Sequence, residues 1–123
     1  PPVFSIYALK LVLEHVKGYG GIEAAKEISQ HRSGLIYDVI DASDGFYRCK
    51  VERSKRSKMN LVFNLATEEL EKRFLVAAEA AGMVGLKGHR SVGGCRASLY
   101  NAVPVEWASA LADLMKSFAA SNG

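Results

Sequence analysis

Residues 59–74, Met-Asn-Leu-Val-Phe-Asn-Leu-Ala-Thr-Glu-Glu-Leu-Glu-Lys-Arg-Phe, contain both periodicities on which the fold depends. In the first half, Leu61, Phe63 and Leu65 occupy alternate positions, a pattern typical of a strand with one buried side. Thr67 is a favourable helix N-cap, and the glutamates that follow it suit the positive end of a helix dipole. The segment therefore predicts a half-buried strand that runs directly into a helix.

The same patterns extend in both directions from this segment. Apolar residues at helical spacing predict a helix ending at Gly18, a second helix beginning near Ile22, and a last helix that begins at Pro104 with Trp107 on its buried face. Gly34 is a weak point in the second helix. Further strands are predicted at residues 46–51, 83–87 and 95–100. The order helix, helix, strand, strand, helix, strand, strand, helix predicts an α+β fold, with a small, mostly antiparallel, four-stranded sheet and helices packed on one face.

The composition is that of a globular domain. The chain has 123 residues, of which 49% are hydrophobic and 24% charged, so residues 1–123 are expected to form a single domain without disulfides or a structural metal. The apolar content and the low net charge exclude intrinsic disorder. Lys10, Glu14 and Glu79 interrupt the apolar runs, so no membrane-spanning segment is expected.

The charge balance argues against a dedicated nucleic-acid binder, because the net charge is +3 and the isoelectric point about 9.0. Six basic residues nevertheless crowd one short stretch: Arg48, Lys50, Arg53, Lys55, Arg56 and Lys58. A solvated surface loop is the simplest interpretation of such a run, and RNA binding is the alternative.

The cysteines and the first residues bear on the cellular setting. Cys49 and Cys95 form no Cys-x-x-Cys pair, so neither a zinc site nor a redox motif is predicted; both are expected to be buried thiols in a reducing compartment, the cytoplasm. No secretory signal is predicted. The sequence opens with Pro1 and Pro2 rather than an initiator methionine, so we expect it to begin within a longer protein.

The loop of residues 87–96 combines three glycines with His89, Arg90 and Arg96. Glycines let a backbone approach a ligand closely, and the planar guanidinium group of arginine matches the two oxygens of a carboxylate or phosphate. Because alternate residues of a strand face opposite sides, Arg96 is expected to project from the polar face of the last strand. The composition predicts an anion-binding site, and a surface turn with solvated arginines is the alternative.

Residues 85–102, Gly-Leu-Lys-Gly-His-Arg-Ser-Val-Gly-Gly-Cys-Arg-Ala-Ser-Leu-Tyr-Asn-Ala, resemble the phosphoserine aminotransferase family. The resemblance extends to residues 1–7, 56–60 and 70–75, and so covers essentially the whole chain. Members of this family are class V, fold-type I homodimers that depend on pyridoxal phosphate. They transfer the amino group between L-glutamate and 3-phosphohydroxypyruvate in serine biosynthesis, giving phosphoserine and 2-oxoglutarate.

The resemblance implies a role for His89, Arg90 and Arg96. Arg96 would bind the substrate α-carboxylate, while His89 and Arg90 would hold the distal phosphate or carboxylate, in the same or the neighbouring subunit's active site. It also implies that the chain is a C-terminal small domain without the family's cofactor lysine, its ring-stacking aromatic residue or the aspartate facing the pyridine nitrogen. We therefore expect no catalytic, cofactor-binding or metal-binding residue here, and no transamination by this chain alone.

Two interpretations from other classes of protein stand beside this one. The chain could be a stand-alone module that binds anions or RNA, or a structural fragment that serves dimerisation. On the aminotransferase interpretation, neither nucleic acid nor a membrane is expected as a partner.

Overall fold

The computed structural model describes residues 1–89 and 92–123. Four helices and three strands follow one another in these residues: α1 (Val3–Gly18), α2 (Gly21–Ala42), β1 (Tyr47–Arg48), β2 (Asn60–Leu65), α3 (Glu68–Ala80), β3 (Cys95–Ser98) and α4 (Val105–Asn122). A short 3-10 helix, Arg53–Lys55, lies between β1 and β2. The strands form an antiparallel sheet in the order β1-β2-β3, so the predicted α+β class and antiparallel sheet are confirmed.

The sheet has three strands within the described residues, so the prediction of four was wrong. The segment of residues 83–87, which was expected to form a strand, pairs with β3 only where Lys87 lies opposite Cys95. The Arg96 amide donates to the Leu86 carbonyl at 2.7 Å, but Gly85 then adopts a φ of 77°, in the left-handed region that glycine tolerates. The chain turns away from β3 at this glycine, because the backbone rotation outweighs the strand preference of the apolar neighbours.

One face of the sheet carries the core. On β2, Leu61, Phe63 and Leu65 are buried, whereas Asn60 and Asn64 lie on the opposite face. The buried residues that the helices α2, α3 and α4 contribute to the same hydrophobic cluster are Ile36, Val39, Ile40, Phe74, Ala78, Ala108, Leu111, Ala112 and Met115. Burial of one large apolar side chain contributes about 1.5–3 kcal/mol, so this cluster is what holds the helices on one face and leaves the other face open.

Helix α1 differs from the other helices because none of its residues is buried. Its exposed large hydrophobic residues are Val3, Phe4, Ile6, Tyr7, Leu9, Leu11, Val12 and Leu13. The helix therefore forms where its periodicity predicts, but it packs mainly against α2 and leaves most of its apolar surface uncovered. Contiguous apolar surface of this kind is typical of a segment that contacts further polypeptide.

The junction between β2 and α3 provides a test of the local structure. Thr67 is extended, and its Oγ1 accepts a hydrogen bond from the Leu70 amide at 3.2 Å, as expected of an N-cap. We expect Thr67→Ala to lower the free energy of unfolding by about 1 kcal/mol, measured by urea denaturation, because one amide of the first turn loses its acceptor. Thr67→Ser keeps the hydroxyl and should preserve most of the stability. Equal losses in both variants would contradict the cap.

Candidate functional site

The face of the sheet that the helices leave open carries Arg96. Its backbone is fixed on both sides, since Arg96 lies opposite Val62 in the β2-β3 ladder and its amide donates to Leu86. Its side chain is exposed, which confirms the expectation that it projects from the polar face. Within residues 1–89 and 92–123, no carboxylate forms an ion pair with its guanidinium group. A rigid backbone thus presents a cation that is available to an external anion.

The polar residues around Arg96 bond to one another. The Ser98 hydroxyl donates to Asn60 Oδ1 at 3.0 Å, and Asn60 Nδ2 donates to the Tyr100 hydroxyl at 3.2 Å. Strand alternation predicts that Ser98 and Tyr100 share a face with Arg96. Asn60 was not identified from the sequence as a member of this group. It lies on the polar face of β2 and connects β2 to the end of β3 through these two hydrogen bonds.

The nearby carboxylate of Glu71 is already engaged. Its Oε2 accepts from Asn64 Nδ2 at 3.1 Å and from the Leu65 amide at 3.2 Å, which anchors the start of α3 to the end of β2. These two hydrogen bonds engage the Glu71 carboxylate within the chain.

The glycine loop is closed at its base by backbone contacts. The Gly88 amide donates to the Gly94 carbonyl at 2.8 Å, and the His89 carbonyl accepts from the amides of Val92 and Gly93 at 3.0 and 2.8 Å. Gly93 and Gly94 both have a φ of 71°. The His89 side chain is exposed at this closed loop base. Arg90, the third predicted site residue, lies outside the described residues.

A cleft of about 590 Å³ opens beside Arg96. Its walls come from residues 81–86, from β3 and from the first turns of α4, and most of them are apolar. Trp107 forms part of the wall and is 67% exposed, so the prediction that it belongs to the buried face of α4 was wrong. The core stripe of that helix runs through Ala108 and Leu111 instead, which turns the indole ring towards the cleft.

A buried arginine supports the turn that follows β3. Arg32 of α2 is completely buried, and its Nη1 donates to the carbonyl oxygens of Asn101 and Val103. Its Nε and Nη2 have no hydrogen-bond partner among the described residues, and burial lowers the pKa of the guanidinium group. No local pattern marks this contact, since Arg32 fits the sequence as one more charged residue of an amphipathic helix.

The basic stretch of residues 48–58 is held by partners within the domain. Arg56 binds Asp41 through both terminal nitrogens, at 2.8 and 2.9 Å, and stacks on the Tyr37 ring at 4.8 Å. Arg53 also reaches Asp41, at 3.0 Å, and Lys55 pairs with a neighbouring glutamate. These contacts support the interpretation as a surface loop tied to α2, and they do not support RNA binding.

The Asp41 pair gives the domain a pH-dependent contribution to stability. The hydrogen bonds from Arg56 hold the pKa of the Asp41 carboxyl below its ordinary value. Because the folded pKa is depressed, the stabilisation is present above the unfolded pKa of about 4 and is lost as pH falls through the folded pKa. We expect Asp41→Asn to cost about 1 kcal/mol at pH 7, and we expect this difference from the wild type to disappear as pH falls through the folded pKa of Asp41, measured by urea denaturation.

A matched control for this prediction is Glu52→Gln, which removes the carboxylate of an exposed ion pair with Lys55. This pair is screened by solvent, so the control should leave the unfolding midpoint unchanged across the same pH range. A constant difference between wild type and Asp41→Asn at every pH would refute the role of the ionised pair.

The described residues do not fit a cofactor that forms a Schiff base with lysine. A Schiff-base lysine is activated by a desolvated pocket or by a second cation beside it. All nine lysines of this chain are exposed, and none lines either described cavity.

The two cysteines differ in burial. The Cys95 thiol is buried, and burial raises its pKa to about 12. Cys49 is only half-buried, so the expectation of two buried thiols was wrong for Cys49. Within the described ranges, no cluster of three or more His, Cys, Asp or Glu residues could hold a metal ion.

Among the described residues, no helix combines the length and hydrophobicity needed to cross a membrane.

The chain belongs to the class-V aminotransferases, whose family model matches residues 1–111. It is 53% identical over 118 residues to the phosphoserine aminotransferase of Geobacillus kaustophilus, a match that covers 96% of this chain and 33% of that protein. It is also 52% identical over 123 residues to the enzyme of the same name from Niallia circulans, covering 100% of this chain and 34% of the relative. The family expected from the loop and flanking segments is thereby confirmed.

Solved structures agree with this assignment. The phosphoserine aminotransferase from Bacillus circulans subsp. alkalophilus superposes with a TM-score of 0.94 at 52% identity, over 100% of this chain and 34% of that one. The phosphoserine aminotransferase from Trichomonas vaginalis, described as bound to PLP, gives a TM-score of 0.84 at 31% identity, over 94% and 33% of the two chains. The chain therefore spans about one third of the length of the relatives it matches.

Proposed function

We propose that this chain is the C-terminal, substrate-recognising small domain of a phosphoserine aminotransferase. The observation that carries the proposal is Arg96, which β3 holds on an open sheet face beside a glycine loop and a cleft, with no ion-pair partner in the described chain. The chain that carries Arg96 is also about 50% identical to phosphoserine aminotransferases along its whole length. The complete enzyme would exchange an amino group between L-glutamate and 3-phosphohydroxypyruvate, with phosphoserine as product.

In this proposal Arg96 binds the α-carboxylate that both substrates share. A planar guanidinium group can donate two parallel hydrogen bonds to a carboxylate, which fixes the orientation of the reacting carbon as well as supplying affinity. His89 and Arg90 bind the second anion, which is a phosphate in one substrate and a carboxylate in the other. Two separated cationic groups thus match two substrates that each carry two anions.

The cofactor of such an enzyme is pyridoxal 5′-phosphate, which supplies an electron sink at the substrate carbon when it is bound. Since this chain offers no lysine in a pocket, the cofactor is assigned to the polypeptide that the relatives carry beyond the matched third. The complete enzyme is proposed to be a cytoplasmic homodimer. Its small domain contributes substrate recognition and no catalytic residue.

The test is a transaminase assay on the complete protein encoded with this chain, using L-glutamate and 3-phosphohydroxypyruvate and measuring 2-oxoglutarate. We expect turnover by the complete protein and none by residues 1–123 alone, and we expect the codons preceding Pro1 to encode a lysine in an aminotransferase context. Turnover by the isolated chain, or its absence in the complete protein loaded with pyridoxal phosphate, would refute the proposal.

Replacement of Arg90 should separate the two substrates. We expect Arg90→Ala in the complete enzyme to lower kcat/KM for 3-phosphohydroxypyruvate about tenfold more than for L-glutamate, because a phosphate dianion depends more strongly on a second cation than a carboxylate does. Steady-state kinetics with each substrate varied in turn would measure this ratio. Equal losses for both substrates would exclude a role in phosphate selection.

A further inference from the structure

The open face of the sheet places one apolar side chain directly opposite Arg96. Val62 and Arg96 are partners in the β2-β3 ladder, and both side chains are exposed. The Arg96 amide donates away from β2, to Leu86, so the two residues form a pair without backbone hydrogen bonds between them. Side chains approach most closely in such pairs, with Cβ atoms about 4.5–5.5 Å apart. Val62 is therefore the nearest neighbour of the Arg96 side chain across the sheet.

The polar residues on either side of Val62 have other partners. The Oδ1 atom of Asn60 accepts from the Ser98 hydroxyl at 3.0 Å, and Asn64 donates through Nδ2 to a carboxylate of α3 at 3.1 Å. Among residues 1–89 and 92–123, neither amide bonds to the Arg96 guanidinium group. The position opposite Arg96 thus carries a branched alkyl group between two asparagines, and this alkyl group has no hydrogen-bond acceptor.

The chemistry of the residue at position 62 determines whether the sheet itself competes for Arg96. Opposite charges directly across an antiparallel pair attract each other, so a carboxylate at this position would engage the guanidinium group. An external carboxylate would then have to displace the internal one before it could bind. Valine suits a strand because it is β-branched, and it leaves all five guanidinium N–H donors to a ligand.

We infer, building on the proposed function, that Val62 is a positioning residue of the substrate site. It acts through Arg96, because it packs beside the arginine stem and withholds an internal acceptor from the guanidinium group. The substrate α-carboxylate therefore binds Arg96 without competition from the opposite strand. An acceptor introduced at position 62 should act as an internal competitor of both substrates.

Binding of 2-oxoglutarate to the complete enzyme, measured by calorimetry without an amino donor, tests this role without turnover. We expect Val62→Glu to raise the Kd about fivefold or more, the upper end of what a cross-strand ion pair contributes. Val62→Met has a side chain of similar length with only a weak acceptor, so its Kd should stay within about twofold of wild type. Wild-type affinity in Val62→Glu, or an equal loss in Val62→Met, would overturn the inference.

A second control places the same charge elsewhere on the domain. Val76 of α3 is 67% exposed and is not a partner of Arg96 in the sheet, so Val76→Glu should bind 2-oxoglutarate as the wild type does. A loss equal to that of Val62→Glu would assign the effect to net charge and contradict a role for position 62. The crystal structure of Val62→Glu should place a carboxylate oxygen within about 4 Å of an Arg96 guanidinium nitrogen.

Steady-state kinetics distinguish competition for Arg96 from a structural role of Val62. Val62→Glu should raise KM for L-glutamate and for 3-phosphohydroxypyruvate by similar factors, and kcat should stay within about twofold of wild type because saturating substrate displaces the internal carboxylate. Its thermal unfolding midpoint should match that of Val62→Met. A lower midpoint together with a lower kcat would indicate a structural role and refute the inference.

Two provisions keep the test decisive. If Val62→Glu does not fold, Val62→Gln supplies a neutral acceptor at the same position, and a Kd equal to that of Val62→Met would overturn the inference. A complete enzyme that transaminates and in which Val62→Glu binds normally retains the proposed function and refutes the role of Val62. A complete protein that does not transaminate, but in which Val62→Glu weakens 2-oxoglutarate binding as expected, loses the proposed function and keeps that role.

Discussion

Arg96→Ala in the complete enzyme is expected to lower kcat/KM about 100-fold or more for both L-glutamate and 3-phosphohydroxypyruvate. Both substrates carry the α-carboxylate that Arg96 is proposed to bind, and a hydrogen bond to a charged group contributes about 1.5–3 kcal/mol. Two such bonds from one guanidinium group account for a loss of at least 2.7 kcal/mol, which corresponds to about 100-fold. Steady-state kinetics with each substrate varied separately would measure the two losses.

Two control variants test whether the loss depends on the guanidinium group at position 96. Arg96→Lys keeps the charge but loses the planar pair of donors, so we expect it to recover only part of the activity. Arg48→Ala removes another exposed arginine of the same sheet, one that donates to the Gly45 carbonyl at 2.9 Å, and should leave kinetics near wild type. Because the Arg96 side chain is exposed, the variants should unfold at the wild-type midpoint. Unchanged kcat/KM for either substrate in Arg96→Ala would refute the assignment.

The sequence predicted the parts of the fold that depend on local periodicity. The strand with Leu61, Phe63 and Leu65 and the helix capped by Thr67 form as expected, because each pattern coincides with an element that buries its apolar side against the others. The orientation of Arg96 followed from the same alternation. A candidate site on a regular strand is thus predictable from sequence, since the backbone alone determines the face.

Features that depend on a single backbone rotation or on distant contacts were not predictable. The strand expected at residues 83–87 fails at Gly85, whose conformation the apolar pattern does not specify. Trp107 fits a helical stripe but faces a cleft, because periodicity indicates which residues share a side and not whether anything covers it. The contact of Arg32 with the turn after β3 joins residues about 70 positions apart, and no local pattern marks it.

The sequence likewise did not predict that the apolar surface of α1 would be uncovered. A sequence pattern shows that a helix has apolar residues to bury, but not which polypeptide buries them. In this chain the exposed residues of α1 occur together with a match to only one third of each relative. Their exposure is consistent with the proposal that the chain is one domain of a longer aminotransferase.

Gly88→Ala, at the base of the glycine loop, is expected to reduce both the stability of the domain and the activity of the complete enzyme. A Cβ atom at Gly88 would lie 2.1 Å from the Gly93 carbonyl oxygen and 2.7 Å from that of Gly94, and both are backbone atoms of the facing segment. The Gly88 amide bonds to the same Gly94 carbonyl, so relief of the clash requires the two segments to separate. We expect Gly88→Ala to destabilise the domain by about 2–3 kcal/mol and to lower kcat/KM for 3-phosphohydroxypyruvate at least tenfold.

The matched control is Gly34→Ala in α2, where no described atom lies within 4 Å of the added Cβ apart from the adjoining residues and the helix's own backbone. Alanine is favoured over glycine inside a helix, so this variant should gain about 0.5–1 kcal/mol and keep wild-type kinetics. The same methyl group therefore has opposite effects on urea denaturation at the two glycines, because only Gly88 faces a backbone that cannot move without opening the loop that carries His89. A Gly88→Ala enzyme with wild-type stability and kinetics would show that the loop base is not the rigid support of the anion site.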